Sequence, residues 1–347
     1  PLQTLEVCNG NFRSPCIGNV IVGVLSPDSA GQKFLLTSEN LQKVNHSTIV
    51  NLFETSMSLL WPNGIEYENV MLFVTDAAPY IVKAAKKLKN RYKNMVHITC
   101  LAHGLHRVAD VIRTSYPDVD NFIANTKKIF RKAPSRILAL REIAPTLPLP
   151  PSPVVTRWGS WLNAVQYYAT HYHTIIQVIA AFDKNDASCI AVAQSLISKQ
   201  LFENLNLINN NFGDISIAIK KLEESNLEIS KTIDIIDVVS KKINRASPDP
   251  ITEQVKQKLH SVFHKNIELS VMRGIVNKLK NKQQISQQES YYLHAPLTSC
   301  DVERTFSQYK NCLSDRRRKF TFENLRKYFV VYCNAHNENE GDETVHQ

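Results

Sequence analysis

Glycine is scarce in this chain: ten residues of 347, about 3%, against a typical ~7%. So few glycines argue against a turn-rich all-β protein. Neither GxGxxG nor GxxxxGK[ST] occurs, which argues against a glycine-cradled phosphate site and a nucleotide-type small-molecule substrate. No apolar run reaches the ~18 residues of a membrane span, and the first residues lack the apolar stretch of a signal peptide, so no membrane partner is expected. The seven cysteines (8, 16, 100, 189, 300, 312, 333) are odd in number, scattered and without a CxxC pair. That pattern fits reduced thiols in the cytosol or nucleus, not a disulfide scaffold. What is plentiful is ordinary core material, with 43% hydrophobic and 21% charged residues, enough for about two domains. Lys+Arg 41 against Asp+Glu 32 gives +9, which favours an anionic partner.

The first half alternates strand-like and helix-like stretches. Asn19–Leu25 reads as a strand, Pro27–Gly31 as a turn and Gln32–Leu36 as the hairpin return. Ser47 reads as an N-cap, with Ile49, Leu52, Phe53, Met57 and Leu60 at helical spacing until Pro62-Asn63-Gly64. Val70–Val74 is a continuous apolar run, the mark of a strand buried on both faces, and Pro79 suits the first turn of the next helix. Val96–Cys100 is another short strand, followed by a helix facing inward through Leu101, Leu105, Val108 and Ile112. This is an α/β layered core. Prolines 145, 148, 150, 151 and 153 mark a boundary, and residues 156–290 show helical periodicity alone. Pro296 and Thr298 introduce a further helix, with Asp301 as its capping acid.

Four constellations could carry chemistry. Asp76 stands at the C-terminal end of the buried strand, where open α/β sheets place their sites; it either binds a metal or turns the chain into the next helix. Cys100, His103 and His106 at i, i+3 and i+6 suggest zinc but lack a fourth ligand at finger spacing, and His103 and Arg107 could also contact a phosphate. Thr156-Arg157-Trp158-Gly159-Ser160-Trp161 sets aromatics beside Arg157, able to stack an unpaired base or simply to pack. In Ser299-Cys300-Asp301-Val302-Glu303-Arg304-Thr305-Phe306-Ser307, a helix would bury Val302, Phe306, Tyr309 and Leu313 and leave Glu303 and Arg304 at the margin. There Glu303 would face a metal site or pair with a basic neighbour. Basic runs at Lys83–Lys93, Lys127–Arg136 and Arg316–Lys319 could follow a phosphate backbone; the last could equally be a nuclear-import signal.

Together Thr75-Asp76-Ala77-Ala78-Pro79-Tyr80, Cys100-Leu101-Ala102-His103, Thr156-Arg157-Trp158 and the Ser299–Ser307 segment resemble, in order, the hAT superfamily of DNA transposases. The ER-x-FS core of the last is the most specific. The resemblance implies an RNase H-like mixed-sheet core (1–143), a Pro-rich linker (144–155), an all-helical insertion (156–290), a C-terminal dimerisation region completing the core (291–335) and an acidic tail (336–347). It implies an acidic triad holding two Mg²⁺ or Mn²⁺ ions, with Asp76 as second acid and Glu303 as third. Cys100 and His103 match a CxxH element near the active site, and Trp158 matches an aromatic that stabilises an extruded base. The first acid departs from the family: its expected position falls near Val7, with Glu6 one residue away. No N-terminal zinc finger precedes the core in these residues. The expectation is therefore a nuclear, DNA-binding homodimer or higher oligomer, degenerate or domesticated, with an active nuclease or a protein-dimerisation module as alternatives.

Overall fold

The computed structural model describes residues 2–10, 16–153, 158–312 and 321–339. Its five strands are β1 (Leu2–Gly10), β2 (Cys16–Leu25), β3 (Ala30–Leu41), β4 (Val70–Thr75) and β5 (Val96–Thr99). They form one sheet in the order β3-β2-β1-β4-β5. β2 runs antiparallel to β1 and β3, while β1, β4 and β5 are parallel. This is a mixed α/β arrangement, as expected. The helices are α1 (His46–Leu60), α2 (Pro79–Leu88), α3 (Leu101–Ser115), α4 (Pro117–Phe130), α5 (Pro134–Ile143), α6 (Trp158–Thr170), α7 (Tyr172–Ala180) and α8 (Ser188–Leu196), continuing with α9 (Lys199–Phe212), α10 (Asp214–Leu222), α11 (Ile229–Arg245), α12 (Pro250–His264), α13 (Leu269–Lys280), α14 (Gln287–Ser290), α15 (Cys300–Cys312) and α16 (Phe322–Asn339).

All six residues of β4 are buried, as its unbroken apolar run requires of a strand covered on both faces. β2 shows how the two faces separate. Val20 and Val22 pack with Phe73 against Ile49, Leu52, Phe53 and Met57 of α1 and Ile81, Ala84 and Leu88 of α2. The alternate residues Ile17 and Ile21 join Leu35 against Val302, Phe306 and Tyr309 of α15 and Leu325 and Phe329 of α16. Two local expectations are corrected. The α1 N-cap is Asn45, not Ser47: its side chain accepts from Ser47 and Thr48 N–H, and the Thr48 hydroxyl closes a capping box on the Asn45 backbone. The return strand runs to Leu41 instead of stopping at Leu36, because β3 pairs along the whole of β2 as far as Cys16.

Both sheet edges are closed by asparagine side chains. Asn334 accepts from Leu35 N–H (2.8 Å) and donates to Leu35 C=O (3.1 Å) on β3. Asn266 accepts from Thr99 N–H (3.0 Å) and donates to Thr99 C=O (2.8 Å) on β5. Each amide stands in for one residue of a missing strand, satisfying backbone groups that would otherwise template another chain.

The chain packs as two compact units. One comprises Pro1–Gly104, Leu222–Asp234 and Lys265–Gln347; the other comprises Leu105–Lys221 and Ile235–His264. By packing, one division falls at Gly104/Leu105, within α3. The proline stretch is tied down inside the helical unit. Extended polyproline geometry leaves its carbonyls without internal partners, and side chains supply them: Arg141 reaches Leu147 O (2.8 Å), Tyr167 reaches Pro148 O (2.6 Å) and Lys127 reaches Pro153 O (3.0 Å).

Candidate functional site

The candidate site is built where β4 and β5 end. Asp76 follows the last residue of β4, and its Oδ1 accepts the Ala78 N–H at 2.8 Å, turning the chain into α2. The carboxylate therefore has a local structural task while lying at the end of β4. Cys100 N–H continues the sheet by donating to Thr75 O at 2.7 Å, and Leu101 N–H donates to Leu297 O at 3.1 Å. The second bond stitches the segment before α15 to the start of α3. Across that seam Ser299 N–H donates to Cys100 Sγ (3.2 Å), and Ser299 Oγ lies 3.4 Å from His103 Nδ1. His103 Nε2 then meets Glu303 Oε1 at 3.0 Å, each side chain 31% exposed, so the pair is reachable from solvent.

Burial works to lower the His103 pKa, but the Cys100 sulfur, Glu303 and Asp76 together raise it to about 9. Burial likewise pushes the Cys100 thiol up, yet the hydrogen bond from Cys300 and the charge of His103 outweigh it and hold Cys100 well below the ordinary thiol range. Cys300 moves the other way, raised by its hydrogen bond to Cys100 and by burial. The centre is thus an imidazolium held among Cys100, Glu303 and Asp76.

The structure brings Cys100, His103 and Glu303 together, with Asp76 near enough for its charge to act on His103. Of the two readings open for Glu303, pairing with a basic neighbour is the one observed, and the neighbour is His103. Asp301, expected as a capping acid, is ion-paired to Lys33 of β3 and to Arg304. Arg304 also donates to Glu223 O, which gives the arginine of the ER-x-FS core a structural task. Ser299 and Cys300 carried no role in the sequence reading. Their adjacency to Glu303 in one motif was the available signal.

His106 and Arg107 belong to the helical unit, where the buried Gly159 backbone at the start of α6 sits against the His106 ring. A Cβ at Gly159 would lie 3.7 Å from His106 Cε1 and 3.3 Å from Ile219 Cδ1. Arg157, the Trp158 side chain, Leu313 and the basic run Arg316–Lys319 lie outside the described residues. In the run Lys127–Arg136, Lys127 and Arg136 are committed to backbone carbonyls, Arg136 to Ile129 O at 3.2 Å.

Among the described residues no group of three or more His, Cys, Asp or Glu is arranged to hold a metal ion, so Cys100, His103 and His106 do not form a zinc site. For the two-ion arrangement the described side chains supply two carboxylates, one already engaged by an imidazolium; the donor set does not fit a pair of dications. β1 carries Glu6, the residue next to the position expected for the first acid. In its register Glu6 stands opposite Ile21 on β2 and beside Val74 on β4, whereas Val7 stands opposite Val20 and beside Thr75. Ile21 is the residue that packs toward α15, the helix of Glu303.

Residues 18–129, about a third of the chain, match a family model described as a domain of unknown function (DUF659), a domain found in transposase-like proteins. The match runs from β2 into α4 and includes Asp76, Cys100, His103 and Arg107. No curated protein matches the chain. No helix among the described residues is long and apolar enough to cross a membrane.

Proposed function

We propose that the chain is a hAT transposase-like protein of the nucleus that binds DNA through its basic surface, assembles through its C-terminal region and does not cut DNA. The observation that carries this reading is the pairing of His103 Nε2 with Glu303 Oε1 at 3.0 Å, beside the end of β4. Two-ion phosphodiester cleavage needs a concentration of negative charge that draws two dications to one place. Here His103 Nε2 already takes Glu303 Oε1, so a cation would have to displace it. Calorimetry with Mn²⁺ on the wild type and on Asp76→Asn tests it. No binding by the wild type is expected; binding that disappears in the variant would overturn the non-cutting part and reinstate a metal-dependent nuclease.

The register of Glu6 favours a second reading, an active transposase in which Glu6 supplies the first acid. It requires Mn²⁺-dependent cleavage of duplex DNA that Glu6→Gln, Asp76→Asn and Glu303→Gln each abolish. Assembly has its own test. α15 and most of α16 are spent covering the sheet, but Val331 of α16 is 68% exposed. Sedimentation should show a dimer or larger in the wild type and a smaller species for Val331→Asp; a wild-type monomer would remove the assembly part.

A further inference from the structure

A second feature lies along the β5 edge, in the sheet-bearing unit. Between α2 and the segment that closes β5 is a pocket of about 190 Å³ lined by Lys86, Lys89, His97, Lys265, Asn266 and Glu268. Glu268 is fully committed: it is ion-paired with Lys89 and accepts the His97 backbone N–H. Lys86 and Lys265 are exposed and make no ion pair among the described residues. Burial and the charge of Lys89 lower the His97 pKa to about 4, so its ring is neutral at physiological pH. The lining therefore carries three lysines against one carboxylate, a positive excess in a concave wall, where the field is focused. Ile267, at the rim, is 70% exposed. The pocket also adjoins the candidate site, since His97 Nε2 lies 2.9 Å from Thr75 Oγ1, the residue before Asp76.

We propose that this pocket grips the phosphates of a DNA strand, with Lys86 and Lys265 as its contacts and Ile267 against a sugar. The proposal rests on the DNA-binding reading above and names where on the β5 edge the strand lies. Phosphate oxygens match exposed ammonium groups, and the apolar rim suits deoxyribose carbons, which a free phosphate does not offer. Binding of a fluorescently labelled duplex, followed by anisotropy across a salt series, tests it. Lys86→Gln/Lys265→Gln should weaken binding whatever the sequence and reduce the slope of log K against log[salt] by about 2. Lys86→Arg/Lys265→Arg should keep the wild-type slope. Lys83→Gln/Lys87→Gln, equal in charge change and on the same helix outside the pocket, should reduce the slope by less. Ile267→Ser should lower affinity with the slope intact. A wild-type slope in the Lys86→Gln/Lys265→Gln protein overturns the pocket while leaving DNA binding standing. Absence of any salt-dependent binding by the wild type removes the DNA-binding reading and the pocket with it. Displacement of the duplex by inorganic phosphate, beyond that caused by chloride of equal ionic strength, would reassign the pocket to a free anion.

Discussion

The two faces of the sheet are built by different means. The face under α1 and α2 is hydrocarbon and aromatic, with Phe53 set edge-on to Phe73 and to Tyr92 at 5.0 Å each, and its helices lie close in sequence to the strands they cover. The face under α15 and α16 is closed by residues nearly 300 positions from β2 and β3, and polar bonds are threaded through it: Asn19 to Thr305, Asn334 to Leu35 and Lys33 to Asp301. Nonspecific burial is enough to close the first face. On the second, apolar area gives the energy while directional bonds select which distant helix docks and in what register. The candidate site lies on that side because Glu303 is carried in by the helix those bonds position.

The largest expected effect is on the apolar face. Phe73→Ala removes a fully buried ring packed against the rings of Phe53 and His97 and should cost about 3–5 kcal/mol. Phe306→Ala on the other face, 8% exposed, should cost distinctly less, since water can fill part of the space. Urea midpoints of the two variants measure the contrast; equal losses would mean the faces do not differ in packing.

Next comes acid. His97 has a folded pKa of about 4, below the unfolded value near 6.5, so the unfolded chain takes up a proton that the native state refuses. The stability it contributes is present above pH 6.5 and is lost as pH falls toward 4, by about 3 kcal/mol over that window. Urea unfolding at pH 7 and pH 4.5 should show the loss in the wild type and much less of it in His97→Gln.

Much of the α1/α2 face was legible in the sequence because its signals are local. The run Val70–Val74, Pro79 and the helical spacing of Ile49, Leu52, Phe53 and Met57 each specify an element within a dozen residues. Asn45 escaped because two side chains near one helix start, Asn45 and Ser47, can both cap, and only the backbone turn decides between them. In the site, Asp76 and Glu303 could be placed on their elements, but the meeting of His103 with Glu303 could not. Residues 200 positions apart carry no local trace of contact. The anchoring of the proline stretch was illegible for a related reason: polyproline composition describes its backbone and says nothing about the Arg141, Tyr167 and Lys127 side chains that hold it.

The two edges offer a smaller contrast. Asn266→Ala strands the N–H and C=O of Thr99 at a buried position, for about 1–3 kcal/mol. Asn334→Ala frees the same groups of Leu35, which is itself buried, but the side chain removed is half-buried where Asn266 is buried, so water can enter the space it leaves and the cost should be smaller. Both variants bare a strand edge, and light scattering on storage should rise in each relative to the wild type.

The finest test isolates one bond of the polar face. Asn19 Nδ2 donates to Thr305 Oγ1 at 2.8 Å, with both residues buried, and the Thr305 hydroxyl in turn donates to Val302 O at 2.6 Å. Thr305→Val keeps the volume but leaves the Asn19 amide without its acceptor, a loss of about 1–3 kcal/mol. Asn19→Leu removes the other partner at a comparable cost. Replacing both by apolar groups of similar shape removes the unsatisfied atoms as well as the bond, so the double variant should be more stable than the sum of the single losses allows, with a coupling of about 1 kcal/mol. If the double variant also keeps the His103–Glu303 pairing, seen as an unchanged His103 titration by NMR, apolar packing alone positions α15. If that titration shifts while stability recovers, the buried amide contributes specificity and little net energy, which is the distinction the two faces imply.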